Sequence, residues 1–217
     1  MTPVRAVIFD LDGTLIDSER VVIDAGAQIL QGMGFVDATA FLTRLVGIDA
    51  EEGRRRLSAH AGPDFDLAAF DGAWDRAARA ALDENLPVMP GAGELIGRLA
   101  ARRMPKAVAT NSRTASALAK LDRAGLMAHF AASHVIGVDL VARAKPAPDL
   151  FLEAAARLAV APSNCVVFED SETGVAAALA AGMRVVQVPD IVPAQTADAH
   201  VVAGTLLEGA RRIGLID

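Results

Sequence analysis

The stretch VRAVIFDLDGT, residues 4–14, is an apolar run rich in β-branched and aromatic residues that ends abruptly in two acids and a glycine. Such a run is typical of a strand that is buried on both faces of a sheet. In an extended chain Asp10 and Asp12, which are two residues apart, point to the same side. Gly13 lets the backbone turn directly after them. The stretch therefore predicts a buried strand that delivers two carboxylates to one cleft.

Further apolar runs recur along the chain and alternate with helical patterns. Strands are predicted at residues 4–9, 106–110, 133–136, 165–168, 185–188 and 200–202. Helices are predicted at 93–103, 113–124, 148–158, 174–181 and 206–213. This alternation predicts an α/β fold, a doubly wound parallel Rossmann-like sheet of about five to six strands with helices on both faces. Ligands of such sheets bind beyond the carboxyl ends of the strands, where Asp10 and Asp12 stand.

The segment between the first two strands breaks the alternation. It shows helical patterns and no convincing strand, although a parallel crossover needs only about a dozen residues. We therefore predict an inserted α-helical cap domain at residues 17–86 and an α/β core domain with the catalytic site at residues 1–16 and 87–217. The cap loop around Gly47 is expected to face the site and contact the substrate.

Composition narrows the class of protein. The chain has 21 Lys and Arg against 27 Asp and Glu, a net charge of -6, so it lacks the basic field of a nucleic-acid binder. Its single cysteine cannot form an internal disulfide, which favours a reducing, cytoplasmic location. Charges interrupt each apolar run before the 18 or so residues that a membrane span needs, and no signal peptide is expected at the start. We expect a monomer or a weak homodimer without membrane or nucleic-acid partners.

A second acidic pair follows another predicted strand. Glu169 and Asp170 come directly after the apolar run 165–168. Carboxylates at the end of a buried strand are costly unless they are paired or bound to a metal. With Asp10 and Asp12 they form an oxygen-rich set, which favours Mg²⁺ over zinc or copper. For the first pair alone, an ordinary strand-terminating turn is the alternative.

Polar residues also stand near two other strand ends. Thr110 and Asn111 end the run 106–110, where a hydroxyl and an amide suit phosphate oxygens, and Ser112 is expected to be the N-cap of the next helix. Lys145 lies in a turn that is made rigid by prolines. It is either a solvated surface charge or a clamp that neutralises negative charge near Asp10.

The four polar segments, taken in order, resemble the four motifs of the haloacid dehalogenase superfamily. They are DLDGT at residues 10–14, VATNS at 108–112, KPAPD at 145–149 and FEDSETGV at 168–175. The resemblance spans essentially the whole chain. Its helical insert is similar to the small cap of the branch that contains sugar phosphatases, phosphoglycolate phosphatases and β-phosphoglucomutase.

The resemblance implies a Mg²⁺-dependent phosphatase of small phosphomonoesters, with sugar phosphates as the expected substrates. Asp10 would be the nucleophile that forms an aspartyl phosphate, and Asp12 would act as the acid and then as the base. Mg²⁺ would be held by Asp10, the backbone carbonyl of Asp12 and Asp170, with Glu169 nearby. The remaining implied site residues are Thr110 and Lys145 in catalysis, and Gly13, Gly47, Asn111 and Ser112 in substrate and phosphate binding.

Three alternatives stay open at this point. β-Phosphoglucomutases carry a histidine where this chain has Val22, so net hydrolysis is favoured over phosphosugar mutase activity. Phosphoglycolate phosphatases more often lack an acid at the place of Glu169. A phospho-receiver or binding module also uses an acidic cluster, a threonine and a lysine on a doubly wound sheet, but it has no large helical insert.

Overall fold

The computed structural model describes residues 3–46 and 50–217, and the chain divides into two compact units. One is an α/β unit made of the chain up to Asp17 and from Pro87 onward. The other is a helical unit, Ser18–Leu86. Gly47, which we expected in a substrate loop, lies outside the described residues.

The α/β unit is built on one six-stranded sheet in the order β3-β2-β1-β4-β5-β6, with parallel pairing throughout. The strands are β1 (Ala6–Phe9), β2 (Lys106–Ala109), β3 (Val135–Ile136), β4 (Cys165–Glu169), β5 (Arg184–Gln187) and β6 (Val201–Val202). In the central strand Ile8 is in register with Ala107 on one side and Val167 on the other. Because the winding direction reverses between β1 and β4, their carboxyl ends form the switch point where ligands of such sheets bind. The predicted doubly wound sheet is confirmed.

Helices cover both faces of this sheet. They are α5 (Ala92–Ala101), α6 (Thr114–Arg123), α7 (Asp149–Arg157), α8 (Glu172–Ala180) and α9 (Leu206–Arg212). On one face Phe151 of α7 and Val175 of α8 join Ile8 and Val167 in a buried apolar cluster. On the other face the Phe9 and Phe168 rings stack with centroids 5.4 Å apart, and α9 packs against β5. Burial on both faces explains why the strands are continuous apolar runs.

The start of α6 differs from the prediction. Arg113, not Ser112, is the N-cap residue, and its side chain makes no capping hydrogen bond. Asp139, from a different segment, takes that role: its Oδ1 accepts from the Thr114 backbone N–H at 2.6 Å and from the Thr114 hydroxyl at 3.0 Å. The sequence pattern favoured Ser112 because a serine next to a helix start usually caps it. Here the Ser112 hydroxyl has a different partner.

The helical unit contains α1 (Ser18–Gly32), α2 (Ala38–Thr43), α3 (Ala50–Ala61) and α4 (Leu67–Glu84). Trp74 is half-buried in this unit: its ring packs against Phe70 with centroids 5.3 Å apart, and Nε1 donates to the Val22 carbonyl at 2.7 Å. On α3, Arg55 and Arg56 both pair with Glu52 on a solvated face. Across the described ranges, no helix is both long enough and apolar enough to cross a membrane.

Candidate active site

A buried lysine joins the ends of the two central strands. Asp10 follows β1 directly and Glu169 is the last residue of β4, and each is nearly inaccessible to solvent, with 7% and 1% exposure. Lys145 Nζ lies 2.5 Å from Asp10 Oδ1 and 2.6 Å from Glu169 Oε1. Its ammonium also stands 4.8 Å from the centre of the Phe151 ring. The lysine therefore clamps the switch point, as the second of the two sequence interpretations required.

Asp170 completes a group of three carboxylates at this edge. Oxygen atoms of Asp10, Glu169 and Asp170 all lie within 4.8 Å of one another, a grouping that could hold a metal ion. Gly13, with φ of +85°, leaves room beside them, because a Cβ at this position would lie 2.6 Å from Asp170 Oδ2. The Thr14 hydroxyl donates to Asp170 Oδ1 at 3.4 Å. The requirement for glycine thus comes from Asp170 as well as from the turn.

Asp12 differs from the other three acids. The two acidic pairs were expected to form one oxygen-rich set; among the described residues, the group that could hold a metal ion contains Asp10, Glu169 and Asp170 and not the Asp12 carboxylate. Ser112 Oγ donates to its Oδ2 at 2.8 Å, and Lys120 Nζ donates to its Oδ1 at 2.6 Å. β1 ends at Phe9, so Asp10 and Asp12 are no longer held to the alternation of a strand, in which residues two apart share a face. A role for the Asp12 backbone carbonyl at the metal stays a prediction.

Thr110 and Asn111 tie the end of β2 to the same site. Thr110 is 2% exposed, and its Oγ1 accepts from the Ser112 backbone N–H at 3.0 Å. The Asn111 side chain reaches across to the lysine segment, where Oδ1 accepts from the Lys145 backbone N–H at 3.0 Å. Of these three residues, Ser112 contacts an acid, Asp12, Asn111 holds the backbone of Lys145, and Thr110 is bonded to Ser112.

Burial and neighbouring charges determine the protonation states of Asp10 and Lys145. Burial raises the pKa of Asp10 to about 8, against the attraction of Lys145, and the nearby Glu169 carboxylate adds to the rise. Burial also disfavours the charge of Lys145, but Asp10 and Glu169 more than offset this and raise the pKa of the ammonium. The lysine therefore stays charged at neutral pH. A cation beside Asp10 would favour its ionised form.

Comparison with known proteins identifies the family. A model of the haloacid dehalogenase-like hydrolases matches residues 4–182, which include all four motif segments. The chain belongs to this family. The resemblance seen in the sequence is thereby confirmed, and so is the enzyme class of hydrolase.

Individual relatives of this haloacid dehalogenase-like hydrolase span most of its length. A probable pseudouridine-5′-phosphatase of Drosophila melanogaster is 34% identical over 203 residues, 89% of this chain and 85% of that protein. A β-phosphoglucomutase of Bacillus subtilis is 30% identical over 209 residues, 89% and 91% of the two chains. A crystal structure of a family hydrolase from Deinococcus radiodurans with bound phosphate and sodium superimposes with a TM-score of 0.84, at 30% identity, covering 100% of this chain and 99% of that one.

The sequence interpretation missed Lys120. It lies inside the regular pattern of α6, where a lysine is ordinarily a solvated charge, and its partner Asp12 is 108 residues away. Composition offers one signal: the chain has three lysines among its 21 basic residues, at 106, 120 and 145. Arginine supplies the other basic residues, and two of the three lysines lie in this site.

Proposed function

We propose that the protein is a Mg²⁺-dependent phosphatase that hydrolyses small phosphomonoesters, with sugar phosphates as the substrate class. One observation carries the proposal: buried Lys145 bridges Asp10 and Glu169 at the switch point of the sheet. A carboxylate beside a fixed cation and further acids is the arrangement needed to receive a phosphoryl group. The pseudouridine-phosphate and glucose-phosphate names of the relatives support the sugar-phosphate class.

The donor set at the site fits Mg²⁺. Asp10, Glu169 and Asp170 offer only carboxylate oxygens, which are hard ligands suited to Mg²⁺, and the missing side chain at Gly13 keeps the space beside Asp170 clear. When bound there, the ion would reduce the repulsion between the anionic nucleophile and the anionic phosphate ester. We propose these three carboxylates and the Asp12 carbonyl as its ligands.

Asp10 and Asp12 divide the chemistry between them. A carboxylate oxygen of Asp10 attacks phosphorus, the bond from phosphorus to the ester oxygen breaks, and Asp12 gives its proton to the departing alcohol. Asp12 then takes a proton from water as the water oxygen attacks the aspartyl phosphate, which releases inorganic phosphate and restores Asp10. The same carboxyl group serves as acid and then as base, so it ends each turnover protonated as it began.

The neighbouring polar groups bind the phosphoryl oxygens. The Thr110 hydroxyl, the Asn111 backbone N–H and Ser112 provide hydrogen-bonding groups at the end of β2, and Gly13 lets the backbone approach closely. Lys145 offsets charge that develops on the transferred group. The contacts of Lys145 with Asp10, of Asn111 with the Lys145 backbone and of Thr110 with Ser112 support this division of roles.

The proposal also covers substrate selection, cellular setting and oligomeric state. We propose that the helical unit, with the loop around Gly47, selects the substrate, which is a small phosphorylated metabolite. The free, buried thiol of Cys165 supports a reducing, cytoplasmic setting. We further propose that the enzyme works as a monomer or weak homodimer.

The substrate class and the metal are tested together. Phosphate release is measured from a panel of sugar phosphates and phosphoglycolate, with Mg²⁺ and with EDTA, and β-glucose 1-phosphate is also followed for glucose 6-phosphate. We expect release from sugar phosphates that depends on Mg²⁺. Equal rates in EDTA would contradict the metal role, and accumulation of glucose 6-phosphate without phosphate would establish the mutase instead.

The nucleophile is tested by trapping the phosphoenzyme. Asp10→Asn should abolish turnover and leave no acid-stable phosphate on the protein. Asp12→Asn should slow the loss of the phosphoenzyme, so that more of it is found after rapid quenching. Turnover that persists in Asp10→Asn, with no trapped phosphoprotein in either variant, would overturn the assignment.

A further inference from the structure

Lys120 is placed at the site by α6. Its side chain is only 15% exposed, and its ammonium lies 2.6 Å from Asp12 Oδ1 and 3.2 Å from the Ser112 hydroxyl oxygen. Residues 112 and 120 are eight apart, about two helical turns, so the side chain runs back along the helix toward its start. A long aliphatic stem held in this direction brings the charge to the end of β2, where Asp12 arrives from β1.

The Asp12 carboxylate is held at both of its oxygens. Ser112 donates to Oδ2 at 2.8 Å while Lys120 donates to Oδ1 at 2.6 Å. The two donors also contact each other, so the three groups form a closed triangle. Both donors belong to the segment after β2, whereas Asp12 belongs to the segment after β1. The orientation of the acid is therefore set across the sheet edge and not by its own loop alone.

We infer that Lys120 is a positioning residue that orients Asp12 for proton transfer; this rests on the proposed function. Without a cation of its own, the Asp12 carboxylate would be drawn by charge toward Lys145 or toward a metal held by the other acids. The Lys120 ammonium gives it a competing partner. This accounts for the separation of the Asp12 side chain from the group of Asp10, Glu169 and Asp170 that could hold a metal ion.

Orientation of Asp12 matters most when the departing oxygen is a poor leaving group. A sugar alkoxide needs a proton as the ester bond breaks, whereas 4-nitrophenolate leaves without one. A positioning defect at the acid should therefore depend on the leaving group. A general weakening of the fold or of phosphate binding would lower the rates for both esters alike.

The test compares kcat/KM for one sugar phosphate and for 4-nitrophenyl phosphate, since this ratio reports the step in which the ester bond breaks. Lys120→Met should lose about 10- to 100-fold on the sugar phosphate, in line with the cost of a misplaced catalytic group. On 4-nitrophenyl phosphate it should stay within a few-fold of wild type. Lys120→Arg keeps the charge and should recover part of the loss.

Two controls separate the inference from its alternatives. Lys106→Met makes the same chemical change at the opposite, amino end of β2 and should leave both substrates near wild type. In the Asp12→Asn background, Lys120→Met should add little further loss on the sugar phosphate, because the group that it orients is gone. If Lys120→Met does not fold, Lys120→Gln carries the same comparison.

The outcomes also distinguish this inference from the function itself. Wild-type protein that hydrolyses neither ester would contradict the proposed function. Wild-type turnover with an equal loss on both esters in Lys120→Met, or with no loss on either, would overturn the positioning role alone. The positioning role would also be overturned if Lys120→Met reduced kcat/KM for the sugar phosphate in the Asp12→Asn background by as much as it does in wild type.

Discussion

The Glu169 carboxylate occupies the space that a side chain at residue 174 would need. A Cβ placed on Gly174 would overlap the Glu169 carboxyl group. The same Glu169 side chain accepts from the Ser171 N–H and hydroxyl at 2.9 Å each, while its other oxygen contacts Lys145. The first turn of α8 is thus folded closely around the acid. The addition of one methyl group in that turn should therefore displace the Glu169 carboxylate.

Substitution of Gly174 is the first prediction. Gly174→Ala should displace Glu169 from Lys145 and lower kcat/KM by about 10-fold or more, because catalytic groups lose efficiency steeply when they are misplaced. Gly97→Ala is the matched control, since Gly97 is exposed within α5 and a Cβ there would meet no other atom. That control should keep its activity and gain about 0.5–1 kcal/mol of unfolding free energy. Wild-type kcat/KM in Gly174→Ala would contradict the prediction.

The protonation of Asp10 gives a second prediction, on stability. Burial raises the pKa of Asp10 from 3.8 to about 8. At pH values between these two, the folded, metal-free protein keeps a proton on Asp10 that the unfolded chain has released. The folded state then binds more protons, and its unfolding free energy falls as pH rises from about 4 to 8, by at most about 1.4 kcal/mol per pH unit from this group. Asp10→Asn removes the contribution.

Urea unfolding in EDTA at several pH values between 5 and 8 measures the contribution of Asp10 to the unfolding free energy. The unfolding free energy of wild type, relative to that of Asp10→Asn, should decline with rising pH. Taking the difference cancels groups that titrate alike in both proteins. Parallel curves for the two proteins would show that Asp10 is already ionised in the absence of metal.

How far the sequence predicts this site depends on whether each signal is local. Asp10, Glu169 and Asp170 stand directly at the ends of apolar strands, and parallel strands bring such ends to one edge, so their meeting could be predicted. Lys145 left two interpretations open, because its burial depends on Asp10, 135 residues away, and on Glu169, 24 residues away.

Side-chain direction after the strand ends could not be predicted. Asp12 turns to Ser112, which follows β2, and to Lys120 of α6, so its direction depends on donors about 100 residues away in the chain. The capping of α6 by Asp139 is equally non-local, since the two segments meet only in the folded sheet. Strand and helix patterns fix which elements form, while contacts between their ends come from tertiary packing.

A third prediction concerns Glu172, which ties the segment after β5 to the acidic turn. Its Oε1 accepts from the Gln195 N–H at 2.8 Å and its Oε2 from the Thr196 hydroxyl at 2.6 Å. Gln187 Nε2 donates both to Glu172 Oε1 and to the Asp170 carbonyl, at 3.1 and 3.3 Å. Glu172→Ala should speed hydrogen exchange at residues 195 and 196. It should also weaken Mg²⁺ binding by several-fold, since groups behind metal ligands orient them.

Thr196→Val is the comparison for Glu172. It removes one of these donors and keeps the Gln187 contacts, so exchange should rise at residue 196 with little effect on Mg²⁺ affinity, measured by calorimetry. Unchanged exchange and unchanged Mg²⁺ affinity in Glu172→Ala would show that the segment is held by other contacts.

The cap of α6 supplies the last prediction. Asp139 Oδ1 accepts from the Thr114 N–H and hydroxyl, and Thr114 Oγ1 accepts from the Gly137 N–H at 3.1 Å. Removal of the acid in Asp139→Ala leaves the first turn of α6 without a side-chain cap, which should lower Tm and raise hydrogen exchange at residue 114. Because α6 also carries Lys120, kcat/KM for a sugar phosphate should fall more than that for 4-nitrophenyl phosphate. Asp139→Asn keeps an acceptor oxygen and should lie between Asp139→Ala and wild type in both measurements, whereas a loss of Tm with equal effects on the two esters would separate the cap from the orientation of Lys120.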